Sequence, residues 1–289
     1  MSQYRLSRSY LGALVVFHLA LPLAFVPSLF SWTGVWLFVL GGYVYSSLGI
    51  SLGYHRLFSH RALVLPTWLE RAVAVLGVCS LMETPARYAA THRLHHRHAD
   101  GENDPHSPQQ RWWWGHVTWL IWKNAERDRR RMARRYALDV LADPFYAWLE
   151  RRRHWLLLYL AHALLYFVGG ILVAQVGGAT WAESATFGAS LLLWGVVLRT
   201  LFVWHTIWAV NSWTHRWGYR NHETPDNSRN NLVLALLTNG EGWHNNHHAH
   251  PALVKFGERW WEIDVTYLTI RALEAAGLAT RVRHAETDD

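Results

Sequence analysis

Cysteine is almost missing from this sequence: Cys79 stands alone, inside an apolar run. An internal disulfide is excluded, and so is any zinc or iron–sulfur site built on thiolates. Metal chemistry here has to rest on histidine. Charge is missing too, over long stretches. Residues 10–30, 35–54 and 155–176 carry none, and residues 185–210 carry only Arg199. Each run is about as long as a helix needs to cross a bilayer core. The sequence also lacks internal repeats, low-complexity tracts and nucleic-acid-binding motifs, so a nucleic-acid partner is not expected. A near-zero mean hydropathy conceals this segregation, because it averages apolar runs with very polar ones. With 19 Trp among 289 residues and 51% apolar content, the composition is that of a membrane protein.

The distribution of basic residues orients the spans. All but one of the 28 lysines and arginines lie in residues 1–9, 54–154 and 211–289, and neither turn between paired spans contains any. Under the positive-inside rule both termini are cytoplasmic. The expected architecture is all-α and integral to the membrane, a single domain over 1–289. Four spans form two hairpins, at about 10–30, 35–54, 155–176 and 185–210, and a helical cytoplasmic cap comprises 55–154 and 211–289. Pro22 and Pro27 are expected to kink the first span, which lacks a small-residue cleavage site and should stay in place. Residues 66–82 are mostly apolar but are interrupted by Glu70 and Arg71, as suits a helix dipping into the interface. The alternative, a fifth span, would separate histidine clusters onto opposite sides. The tryptophans at 112–114, 119 and 122 are expected at headgroup depth. The run Arg127-Asp128-Arg129-Arg130-Arg131, with Arg134 and Arg135, serves either retention beside anionic lipid or docking of an acidic electron carrier.

Histidine supplies the chemistry. Trp243-His244-Asn245-Asn246-His247-His248 places three imidazoles at i, i+3 and i+4, and His92-Arg93-Leu94-His95-His96 repeats the spacing. On a helix, each triplet shares one face and can converge on a metal. His55 and His60 add two more, five residues apart. Eight ligands exceed what one ion of four to six coordination needs, so two metals are implied. Neutral imidazole suits iron, zinc and copper and requires acceptors for its other N–H; Glu241, Asp100, Glu102 and Asp104 are nearby in sequence. Isolated histidines, namely His18, His154, His162 and His284, read as capping or packing groups.

The three boxes, in this order around two hydrophobic hairpins, resemble those of the membrane fatty acyl desaturases, specifically the delta-9 type. The likeness extends to Gly53-Tyr54-His55-Arg56-Leu57-Phe58-Ser59-His60-Arg61, Asp104-Pro105-His106, Asn211-Ser212 with His215, and Gly240-Glu241-Gly242-Trp243-His244. It covers about residues 35–251. The resemblance implies a diiron centre that uses O2 and two external electrons to introduce a cis double bond into a saturated fatty acyl chain. His55, His60, His92, His95, His96, His244, His247 and His248 match the family's ligands, His215 matches a ninth, and Asn211 matches an asparagine that approaches one metal through water. The family's substrate tunnel ends near the second span. Tyr43 and Ser47 are the positions expected to limit chain length there, unless they serve ordinary interhelical packing.

Departures bear on the substrate. Thr91 stands just before the second box, where animal acyl-CoA enzymes usually carry an acidic residue, so the chain looks more like the plant and cyanobacterial branch, which often acts on acyl lipids. The acyl carrier stays open between coenzyme A, a lipid and a carrier protein. His205, inside the fourth span, is either a second-layer group or polar packing, and His98, His106 and His222 read as surface or second-layer residues. The His-Pro-Gly-Gly signature of a fused cytochrome b5 is missing, so electrons are expected from a separate ferredoxin, cytochrome b5 or flavoprotein. Two alternatives remain at this stage: a diiron lipid or carotenoid hydroxylase, and a non-catalytic metal-binding or transport protein of the membrane.

Overall fold

The computed structural model describes residues 4–109, 111–124 and 128–285. Four helices in these residues are long and apolar enough to cross a membrane: Arg8–Phe25, Trp32–Ser59, Pro144–Val176 and Trp181–Trp213. The first is α-helical only over Arg8–Leu19. Pro22 and Pro27 lack the N–H that continuation needs, and the chain proceeds as 3₁₀ turns, Leu21–Phe25 and Pro27–Leu29. The second starts where the Ser31 hydroxyl accepts the Gly34 N–H at 3.0 Å. It is α-helical over Trp32–Tyr43 and then winds with i→i+5 hydrogen bonds over Val44–Ser59, so it extends past residue 54 and contains His55.

The third spanning helix is regular over His154–Val176, and a capping box, Thr180 with Glu183, starts the fourth. Small residues let these two approach closely. A Cβ on Gly170 would lie 2.7 Å from the Gly188 Cα, closer than packed atoms allow.

No fifth span forms at 66–82. The helix there, Thr67–Val78, has 12 residues, about 18 Å of length against a core of about 30 Å. It lies against the second spanning helix, glycine to glycine: a Cβ on Gly49 would stand 2.7 Å from the Gly77 backbone nitrogen, and one on Gly77 would stand 2.3 Å from the Tyr54 ring. Gly77→Val should destabilise the protein by about 1–3 kcal/mol through overpacking. Thermal melting of the detergent-solubilised protein measures this, and an unchanged melting temperature would contradict the close approach.

Arg199, the one charged residue of the fourth apolar run, holds the far end of this short helix. Its guanidinium donates to the Cys79 carbonyl at 2.9 Å and the Gly195 carbonyl at 3.2 Å, and it stacks 3.8 Å over the Tyr45 ring. Trp204 donates to the Ser80 carbonyl at 3.0 Å. The helix C-terminus, whose last carbonyls have no partners of their own, is thereby satisfied within the fold. Leu81 and Glu83, both at positive φ, turn the chain back. Helix Pro85–His98 then rises from its Thr84 cap and carries the second histidine box.

The remaining cap packs on that helix. Helix Arg129–Tyr136 buries Met132 and Ala133 against it and exposes Arg130, Arg131, Arg134 and Arg135. Arg127 of the basic run lies outside the described residues. Strand Tyr4–Leu6 pairs antiparallel with Trp122–Asn124, a small addition to an otherwise helical chain. Helix Val265–Ala275 lies along the second spanning helix.

Candidate metal centre

Helical phase explains how nine histidines divide where the cap meets the spans. On an α-helix, residue i+4 sits about 40° from residue i, whereas i+3 sits about 60° to the other side. In helix Pro85–His98, His92 and His96 accordingly face one group and His95 another. In helix His244–Ala249, His244 and His248 stay together and His247 joins the first group. His55 and His60 would be about 140° apart on an α-helix. The i→i+5 winding stacks them instead, with the His60 N–H on the His55 carbonyl at 3.1 Å. His215 enters two residues beyond the end of the fourth span. The result is one group of His55, His60, His92, His96 and His247, and a second of His95, His215, His244 and His248, the ligand atoms of each lying within 4.8 Å of one another.

The nitrogens that face each other carry lone pairs. His55 Nδ1–H bonds to Glu241, which the Ser51 hydroxyl and Arg56 also reach. Asp104 accepts from His95 Nδ1 at 3.0 Å, Asp100 from His215 Nδ1 at 3.0 Å, and Asp226 from His248 Nδ1 at 2.7 Å. Each of these bonds places the ring proton on Nδ1 and leaves Nε2 a pure acceptor. Yet the Nε2 atoms converge: His55 to His247 at 3.0 Å, His60 to His92 at 2.8 Å, His96 to His247 at 2.9 Å, and His215 to His244 at 3.1 Å. The Nε2 atoms of His95 and His248 are buried with no hydrogen-bond partner. Two nitrogens bound at about 2.0–2.1 Å and at right angles to one cation lie about 3 Å apart, which is the spacing found here. Both groups therefore fit a metal ion.

Electrostatics agrees. Burial, joined by neighbouring imidazoles, pushes His92, His96, His244 and His247 well below the usual histidine range, so they are neutral donors of lone pairs near pH 7. His248 is pushed down to about 4, chiefly by burial. Burial would raise the carboxylates, but the ring partners outweigh it. His95 holds Asp104 below the usual carboxylate range, His215 does the same for Asp100, His248 for Asp226, and His55 with Arg56 for Glu241. At His95 burial lowers the pKa and Asp104 outweighs it, leaving the ring more basic.

Beside the histidines, the sequence pointed to Glu241, Asp100, Glu102 and Asp104; Glu241, Asp100 and Asp104 orient rings, while Glu102 is exposed. The sequence did not point to Asp226, which no box contains. The loop through Asp226 reaches His248 because Asn245 and Asn246 tie the HNNHH helix down: Asn245 accepts the N–H groups of Asn221 and His222, each at 2.8 Å, and Asn246 donates to Glu262 at 2.8 Å. Phe256 was missed as well. It packs 4.3 Å from the His247 ring, with the Arg56 guanidinium 3.9 Å from its ring centre. Arg56 is fully buried and bonds Asp264 at 3.0 Å. His106 is buried beside His95, ring centres 4.5 Å apart, while His222 pairs with Glu258 at the surface. His205 lies between His18 and His116, 3.0 Å from each.

A cavity of about 540 Å³ meets the two groups. His55, His92, His244 and Asn211 line its inner end, with Ile207 and Trp208 of the fourth spanning helix beside them. Tyr43 and Ser47 are not among the lining residues. Their hydroxyls bond Thr269 at 2.8 Å and Thr266 at 2.9 Å, on the helix that lies along the second span.

Comparison with known proteins gives this geometry a context. The fatty acid desaturase family description matches residues 30–280. The chain is 40% identical to the sn-2 palmitoyl-lipid 9-desaturase of Nostoc sp. (strain 36), over 89% of this chain and 84% of that protein. It is 37% identical to the sn-1 stearoyl-lipid 9-desaturase of Anabaena variabilis, over 93% and 91%. An icosanoyl-CoA 5-desaturase of Limnanthes douglasii is 38% identical, over 90% of this chain and 68% of its own length.

Proposed function

This chain belongs to the fatty acid desaturase family, and we propose that it is an O2-dependent diiron enzyme that forms a cis double bond at carbon 9 of a saturated fatty acyl chain. The observation that carries this reading is the pair of converging, carboxylate-backed histidine groups at the inner end of an otherwise largely apolar cavity. Relatives named as 9-desaturases support the position of the bond.

In this reading His55, His60, His92, His96 and His247 hold one iron, and His95, His215, His244 and His248 hold the other. Asn211, one helical turn before His215, would reach one of the metals through water. The irons, once bound, supply the reduction of O2 and the oxidising power to take two hydrogens from adjacent methylenes; one O2, two electrons and two protons enter, and two waters leave. The rest falls to the chain itself. Glu241, Asp100, Asp104 and Asp226 fix the ring tautomers. Ile207, Trp208 and the neighbouring apolar wall exclude water and align one methylene pair with the metals. Tyr43 and Ser47 pack the second spanning helix onto helix Val265–Ala275, the interhelical role that the sequence left open for them.

The cap and both termini face the cytoplasm in this proposal, as the basic residues favour. A separate ferredoxin, cytochrome b5 or flavoprotein delivers electrons, and the exposed Arg130, Arg131, Arg134 and Arg135 offer an acidic donor a face beside the second histidine helix.

Expression in a desaturase-deficient host tests the reaction. Gas chromatography–mass spectrometry with double-bond derivatisation should find new cis-9 monoenes. Hydroxylated chains in their place, or no change with iron and a competent donor supplied, would overturn the reading.

A further inference from the structure

We infer that the cavity opens sideways, between the cap-side ends of the first and third spanning helices, and that a membrane-resident glycerolipid passes one acyl chain through this door to the metal groups. The inference rests on the desaturase reading and adds how, and in what form, the substrate arrives.

The door is made of two helix faces. Ser9, Tyr10, Ala13 and Leu14 form one stripe of the first spanning helix, and all four line the cavity. Trp155 and Leu156, at the start of the third, line it from the other side. Backbone packing between these helices is sparse. The first helix Arg8–Leu19 has no buried residue. Its cap end is held by the cap, with the Ser7 N–H on the Ile121 carbonyl at 2.7 Å and Tyr10 under Lys123 and Arg129, whereas its contact with the third helix lies deeper: Phe17 rests on Tyr159 with ring centres 6.3 Å apart, next to Trp204 at 4.9 Å, and His18 bonds His205 at 3.0 Å. The Phe17–Tyr159 contact therefore marks the lower edge of the opening, and the cavity occupies the level above it.

Much of the lining is apolar. Leu14, Leu81, Met82, Trp204 and Ile207 give the lining the apolar share that a hydrocarbon chain requires, and the charged Glu83 and Arg87 beside them are held in ion pairs with Arg129 and Glu150. The rim differs. Lys123, Arg130 and Arg153 stand at the cap-side edge of the same cavity. Arg129 is already engaged, bonding Glu83 at 2.7 Å and standing over the Tyr10 ring at 4.5 Å, whereas Arg130 and Arg153 are exposed. Tyr10 and the rim indoles, Trp114 and Trp122, have the amphipathic character of groups at headgroup depth.

This arrangement fits a substrate that never leaves the bilayer. Its polar head stays at the interface against the cations, one chain enters between the helices, and the second remains among the surrounding lipids. A thioester arriving from water needs no gap between two spanning helices.

The test uses the iron-loaded enzyme with its electron donor in vesicles of a saturated-chain phosphatidylglycerol, beside the same acyl chain presented as a coenzyme A thioester. The wild type should desaturate the vesicle lipid. Ala13→Trp and Leu156→Trp, which fill the door from either side, should lower kcat/KM for that lipid at least about tenfold with iron content and melting temperature retained. Wild-type turnover of the lipid in both variants overturns the door. Turnover of the thioester alone also overturns it, while leaving the desaturase intact; failure on every substrate defeats the desaturase reading itself. If the tryptophan variants do not fold, the unmodified enzyme still decides. A lipid with a photoreactive acyl chain should cross-link within residues 9–14 and 155–156, and labelling confined to other segments contradicts the proposal.

Discussion

His96→Ala should lower desaturation by more than about 100-fold, since losing even a group that only supports a metal ligand costs about 10–100-fold. His96 Nε2 lies 2.9 Å from His247 Nε2 at the centre of the five-histidine group. As a residue it is half-buried, whereas His95 is fully buried, so truncation opens a smaller void there and the protein should still insert and fold. Metal analysis of the purified variant should show the bound iron falling from about two per chain to about one. Retained turnover, or a full complement of iron, would remove His96 from the ligand set.

The second large effect is expected at Asp226→Asn, a change in a residue that touches no metal. Asp226 accepts from His248 Nδ1 at 2.7 Å and so leaves His248 Nε2 free to bind. An asparagine amide can turn its N–H toward Nδ1 and drive the ring proton onto Nε2, the nitrogen that faces the second group. A wrong tautomer of this kind disables an otherwise intact histidine. Iron affinity of the four-histidine group should fall about 10–100-fold, read as faster loss of one iron to a chelator and as activity that returns with excess iron. Chelator resistance equal to the wild type would show that Asp226 does not set the His248 tautomer. Asp226 also accepts the Ser228 N–H at 2.9 Å, a bond that the asparagine oxygen can keep, so the loop should hold its shape.

Much of this protein was legible in advance for simple reasons. Runs without charge mark spans because a charge in hydrocarbon is expensive, and four helices of suitable length stand at those places. The spacing i, i+3, i+4 marks the boxes around His92 and His244, but neither triplet converges on one metal group as that spacing suggested: His95 parts from His92 and His96, and His247 parts from His244 and His248, because i+3 and i+4 lie on opposite sides of residue i. The π winding of the second spanning helix could not be read locally. His55 and His60 are five residues apart, a spacing that α-helical reasoning sends to different faces and that the i→i+5 winding over Val44–Ser59 brings into one group. The path of the cavity was equally hidden. Tyr43 and Ser47 lie on the expected helix at the expected depth, but their hydroxyls turn to Thr269 and Thr266 of a segment more than two hundred residues away.

From the sequence alone come the class of the fold, the spans, the thiolate-free metal chemistry and the identity of the histidines, because each depends on composition or on the geometry of a single helix. Tertiary structure decided which histidine joins which group, that Asp226 bonds the His248 ring, that Arg199 ties down the short helix, and that residues of the first and third spans line one cavity with the histidines. Those outcomes depend on contacts between segments distant in the chain, and no local spacing encodes the direction in which two packed helices face each other.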